Sequence, residues 1–145
     1  MSITQDLHDR LRAALPDAVP VLRPEDAQTP LYAAPVDALG RPVVGAGERG
    51  LGAYLQQHPQ GYVQIGEEQG FGIALDGAAG SWLITVDCIA PDSPGRDALL
   101  RGALDVATRA GVRQTHFSLL TPPTTRKDAS GFHAAQLILI ARTGI

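Results

Sequence analysis

Ile3, Leu7, Leu11 and Leu15 recur every fourth residue and draw one apolar stripe along the start of the chain. That spacing predicts an amphipathic helix over 2–15, which Ser2 or Thr4 can cap and Pro16 stops. Pro16, Pro20, Pro24 and Pro30 break up the next stretch of chain. Residues 16–30 therefore read as a loop with one short extended piece, Val19 to Leu22. Residues 31–44 pattern as a hairpin: Leu31 to Asp37 runs out, Leu39-Gly40 turns, and Arg41 to Val44 returns. Pro35 and Pro42 cannot donate to a ladder, so this hairpin belongs at a sheet edge. A short helix over 48–58 would place Leu51, Tyr54 and Leu55 on one face, against the cost of Gly50 and Gly52.

Three strands are predicted next, at Gly61 to Glu67, Phe71 to Asp76 and Ser81 to Ala90. Their connections are short and contain glycine, as an antiparallel meander needs. Leu99, Leu100, Ala103, Leu104 and Ala107 then form the stripe of a longer helix, about Arg96 to Ala110, with Gly111 as its C-terminal cap. Thr115 to Thr121 reads as a strand, Pro122 to Gly131 as a polar loop, and Phe132 to Arg142 as a final strand. The sum is a single α+β domain over 1–145: one mainly antiparallel β-sheet with helices packed on one face.

Composition agrees with one globular domain and narrows the partners. The chain has 145 residues, 44% hydrophobic and 19% charged, with a net charge of −3. A slightly acidic balance gives no electrostatic reason to expect nucleic acid or an anionic membrane. No apolar run reaches the ~20 residues that span a bilayer, and the N-terminus lacks the order of a signal peptide. Cys88 is the one cysteine, so neither an internal disulfide nor a cysteine-rich zinc site can form. A cytoplasmic location is the default expectation. Abundant Ala, Gly, Pro, Leu and Arg with scarce Lys and Asn match a GC-rich bacterial genome.

Strand alternation sorts the candidate chemistry by face. Trp82, Ile84, Val86 and Cys88 share one face of their strand, and Leu83, Thr85, Asp87 and Ile89 share the other. If the apolar sets lie under the helices, Tyr62, Gln64, Thr85, Asp87, His116 and Ser118 gather on the opposite side. A carboxylate beside an imidazole orients it and raises its basicity, so Asp87 and His116 are the catalytic candidates. Ser118 lies one pleat, ~6.5–7 Å, from His116, too far for a direct nucleophile–base hydrogen bond. The plain alternative is a half-solvated sheet face with ordinary polar residues. Cys88 falls on the apolar side, as a buried small hydrophobe. His8, His58 and His133 show no metal-ligand spacing, so no metal is expected. Thr121 to Asp128 combines hydroxyls with Arg126 and Lys127 and could hold a phosphate or carboxylate, or could simply be solvated.

Two segments resemble known families. Trp82 to Pro91, Leu99 to Gly111 and His116 to Leu120 resemble the fourth strand, following helix and fifth strand of Gcn5-related N-acetyltransferases. That resemblance implies an acyl-CoA pyrophosphate on the turn before the helix, facing backbone N–H groups. Here the turn is Asp92-Ser93-Pro94-Gly95-Arg96-Asp97, with one glycine, a proline that removes a donor, and two carboxylates. Leu39-Gly40-Arg41-Pro42, Leu51-Gly52-Ala53-Tyr54, Tyr62 to Ile65 and Gly70 to Asp76 resemble the N-terminal domain of SseB-type proteins. This second resemblance implies an accessory or binding module; the Phe-Thr-Ser signature of that family is replaced here by Gly45-Ala46-Gly47.

Two functions are therefore expected to compete. One is a non-catalytic module that binds a protein partner or itself, with a homodimer expected, no cofactor, and Tyr32, Val43, Tyr62 and Ser118 as binding residues. The other is a divergent acyl-CoA-dependent N-acyltransferase using Asp87 and His116.

Overall fold

The computed structural model describes residues 3–26, 38–39, 54–55, 57–71, 80–108, 116–127 and 132–143. In chain order these form α1 (Ile3–Ala14), β1 (Val21–Leu22), a 3-10 turn at Pro24–Asp26, β2 (Tyr62–Ile65), β3 (Gln69–Phe71) and β4 (Gly80–Ala90). Then come α2 (Ser93–Thr108), β5 (His116–Leu119), β6 (Thr124–Lys127) and β7 (His133–Thr143). The expected hairpin at 31–44, with Tyr32 and Val43, lies outside the described residues.

β4 and β7 are the frame. They pair antiparallel without a break, from Gly80 opposite Thr143 to Ala90 opposite His133. Shorter strands flank them in the order β1–β2–β4–β7–β5, with β3 also on β4 and β6 also on β7. The sheet is mixed, because β1 and β2 run parallel with Val21 opposite Val63. Parallel neighbours need a long connection, and residues 23–61 supply it.

The expected meander is corrected by the pairing. β2 and β3 do not pair with each other; both lie end to end along one side of β4. Between the pairs Ile65–Val86 and Gln69–Leu83, residues 66–68 face only 84–85, one residue extra on the outer side. β5 and β6 lie end to end along β7 in the same way, with 120–123 facing 137–138. Such extra residues bend and twist an outer strand while the inner one stays regular. Gly66 sits in the first break, donating to the Thr85 carbonyl at 2.8 Å. A side chain there would collide with the Thr85 hydroxyl.

One apolar core holds both helices to one face. Leu7, Leu11 and Leu15 of the first helical segment and Leu99, Ala103 and Val106 of α2 meet Val63, Ile65, Ile84, Val86, Cys88, Leu137 and Leu139. Those strand residues share the face that alternation predicts, and the strip is wide enough to seat two helices. Arg10 fixes the placement of α1: it pairs with Asp6 at 3.0 Å and stacks over the Phe117 ring at 4.9 Å. Arg12 closes the end of α1, donating to the carbonyls of Leu15 (3.4 Å), Pro16 and Val19. Glu68, in the break between β2 and β3, accepts from the Thr4 backbone N–H (3.3 Å) and hydroxyl (3.1 Å) at the other end.

The opposite face is not bare, which corrects the one-sided packing. Tyr54, Leu55 and Tyr62 form a second buried cluster with Leu22, Ile89 and Phe132 against it. Tyr54 and Leu55 are helical, as the 48–58 pattern predicts for them. The Tyr54 and Tyr62 rings meet edge to face with centroids 5.1 Å apart.

The sheet enters β2 through Gly61, whose φ of +88° is a left-handed conformation that disfavours side chains. A β-carbon there would run into the Ile89 carbonyl. Gly61→Ala should therefore lower the unfolding free energy by at least ~1–2 kcal/mol. Urea denaturation checks this, and an unchanged midpoint would contradict the packing described at that turn.

Candidate functional site

Register builds a polar row across the second face. Gln64 on β2 lies opposite Asp87 on β4, Asp87 opposite Gln136 on β7, and Gln136 opposite Thr124 on β6. Four strands thus contribute one polar residue each at the same level. Gln136 Nε2 donates to Asp87 Oδ1 at 3.1 Å. Gln64 is turned the other way: its Nε2 donates to the Arg23 carbonyl at 3.1 Å and the Ile65 carbonyl at 2.9 Å. Its Oε1 is buried and finds no hydrogen-bond partner among the described residues.

Beside the row lies a concavity of about 250 Å³, whose lining includes Asp87, Thr124, Thr125, Arg126, Ala134 and Gln136. Burial pushes the Asp87 carboxyl above the usual carboxylate range; the Gln136 hydrogen bond and the positive charge of Arg126 pull it partly back. The next residue, Cys88, is fully buried on the other face. Burial first, and the neighbouring Asp87 charge second, push its thiol up to about 12. It stays a neutral thiol near neutral pH and is no nucleophile.

Alternation assigns Asp87, His116, Ser118, Tyr62 and Gln64 to one face, and register agrees. It does not bring them together. His116 is opposite Arg142, six positions along β7 from Gln136. That separates its backbone from Asp87 by roughly 20 Å, which corrects the catalytic pairing of Asp87 with His116. Ser118, opposite Ile140, is exposed and four positions from the Asp87 level. Tyr62 is buried in the second apolar cluster.

Gln136 is the site residue that sequence reasoning missed; Thr124 and Arg126 stand out in the sequence only as part of the candidate anion-holding loop, Thr121 to Asp128. Gln136 carried a signal, as the polar residue inside the apolar run from Ala134 to Ile140. The strand that carries Thr124 and Arg126 left almost none, because every side chain of β6 is exposed and no apolar alternation marks it. The expected loop at 122–131 contains this strand.

At the start of α2, Asp92 caps the helix: its Oδ1 accepts from the Gly95 N–H at 2.7 Å. Pro94 fits the first turn, where its missing N–H is not needed. The donor that an incoming phosphate would seek is thus already held by a carboxylate of the chain. Among the described residues no three His, Cys, Asp or Glu side chains cluster to hold a metal ion.

The arrangement on the second face can accept and donate hydrogen bonds, and among the described residues its carboxylate pairs with an amide. A folded-state pKa above the unfolded value means that ionising Asp87 destabilises the fold. This contribution is absent below the unfolded pKa and grows as pH rises through the folded one. Asp87→Asn should therefore gain stability over the parent protein on going from pH 4 to pH 7. Parallel stability–pH curves for the two proteins, measured by chemical denaturation, would contradict the burial described for Asp87.

No known protein family matches the chain, and no curated protein matches it. Among solved structures it is similar to a chain in the virion of a native gene transfer agent particle, at 15% sequence identity and a TM-score of 0.55. The likeness covers 98% of this chain and 94% of that one, and at this identity it establishes a shared fold.

Proposed function

We propose that the protein is a non-catalytic accessory module that binds a protein partner or itself, with assembly as its work. One observation carries this reading: the fold it shares, over 98% of its length, is that of a chain in an assembled virion particle. Chemistry on the second face adds support. The Asp87 carboxyl is committed to Gln136, and no imidazole or nucleophile converges on it among the described residues. The acyl-CoA alternative draws no support from the turn before α2, where Asp92 occupies the helix N-terminus.

A homodimer in a bacterial cytoplasm is the setting we propose. No helix among the described residues is long and apolar enough to cross a membrane. The proline-bearing segment 31–44, which the sequence patterns as a hairpin, is the proposed self-association or partner surface, with Tyr32 and Val43 as its contact residues, in line with the SseB-type resemblance of that segment. Ser118, exposed on the outer strand β5, is the second proposed contact.

Native mass spectrometry of the purified protein tests this. It should report a dimer or a copurified protein. Replacing Tyr32 and Val43 with Asp should shift it to bare monomer while leaving thermal unfolding unchanged. Unchanged assembly in the double variant would remove the hairpin from the account. A retained nucleotide-like mass in the parent protein would count against the module reading itself.

A further inference from the structure

β6 is an outer strand with unusual surface chemistry. It pairs with β7, and among the described residues nothing pairs with its other side. All four of its side chains, Thr124, Thr125, Arg126 and Lys127, are exposed. In an antiparallel pair, alternate residues turn both backbone groups toward the partner, so two of these four turn theirs outward. Such an edge is a template for another strand. Lys and Arg on an edge discourage pairing with an identical edge, because two copies would bring four cations together.

Arg126 lies close enough to Asp87 to favour its ionised form, yet neither Arg126 nor Lys127 makes an ion pair with a described carboxylate. The chain as a whole carries a net charge of −3, so this is a basic spot on an acidic protein. Arg126 and Lys127 are neighbours on a strand, and successive side chains point to opposite faces of a sheet. They cannot converge on one phosphate. They suit two anions held on opposite faces at successive positions, which is how two adjacent acidic residues of an added strand would present them.

We propose that the outer edge of β6 receives an extended segment of a protein partner, added as a strand, whose two successive acidic residues pair across the strands with Arg126 and Lys127. This rests on the module reading above and names the partner chemistry for one edge. The added strand completes the backbone hydrogen bonds of β6.

The probe is a capped six-residue peptide, Thr-Val-Glu-Glu-Val-Thr, titrated to millimolar concentration into the isotope-labelled protein and followed through its amide resonances. The expected result is shifts and slowed exchange confined to Thr124–Lys127 and the facing part of β7, weakening as salt rises. The same peptide with Lys-Lys at its centre should not bind. Arg126→Glu/Lys127→Glu, at two exposed positions, should weaken the acidic peptide by roughly 2- to 30-fold, as expected for two cross-strand ion pairs. The rest of the spectrum should stay unchanged. Equal binding of both peptides, shifts elsewhere on the surface, or no shifts would overturn the proposal. Protection of Thr124–Lys127 that rises with protein concentration alone would give the edge to a second copy and overturn it too. If the peptide fails while the protein still assembles in native mass spectrometry, this inference falls and the module reading stands.

Discussion

The unbroken pairing of β4 with β7 is the constraint on which the other placements depend. Eleven residues of one strand face eleven of the other, from Gly80–Thr143 to Ala90–His133. That fixes Ile84, Val86 and Cys88 beside Leu139, Leu137 and Ala135 on the helix side. It puts Asp87 against Gln136 on the other side. A slip of one residue would exchange the two faces and drive Asp87 into the core. The outer strands are free to break because the inner ladder is not. Both interruptions, at 66–68 and at 120–123, fall beside the same central level, Thr85 opposite Ile138.

The inner pair, covered by α1 and α2, supplies the middle of the core, joined there by Val63 and Ile65 of β2 and Phe117 of β5. Among the outer pieces β6 stands apart, with no buried side chain and two adjacent cations. A polar row that ends at Thr124 links this edge to the middle of the sheet through Gln136 and Asp87. Binding along an edge, rather than turnover in a pocket, is the function we propose for it. The carboxyl of Asp87 has an amide for a neighbour, and the backbone of His116 is roughly 20 Å away along the sheet.

Much of the frame was legible in the chain. The four-residue stripe of α1 and the buried run of β4 are set by periodicity, and so is the assignment of Cys88 to the core. α2 begins three residues before the expected Arg96, because Asp92 caps it and Pro94 is tolerated in the first turn. Face assignments were right where strand neighbours were not: alternation places Asp87 and His116 on one side, but only register says how far apart they lie. β6 was invisible, since an edge strand with every side chain in water shows no apolar rhythm. The tandem arrangement of β2 and β3 was hidden too, because a short glycine-containing connection looks the same in a bulge as in a hairpin.

Amide hydrogen exchange of the isolated protein at low concentration tests the central claim most directly, that a continuous inner ladder supports open outer edges. Amides of β4 and β7 should be the slowest to exchange, close to the global unfolding limit. Outward-facing amides of Thr124–Lys127 should exchange near the rate of exposed chain. Uniform protection of β6 and the inner strands would mean that this edge is already covered, and it would contradict the account.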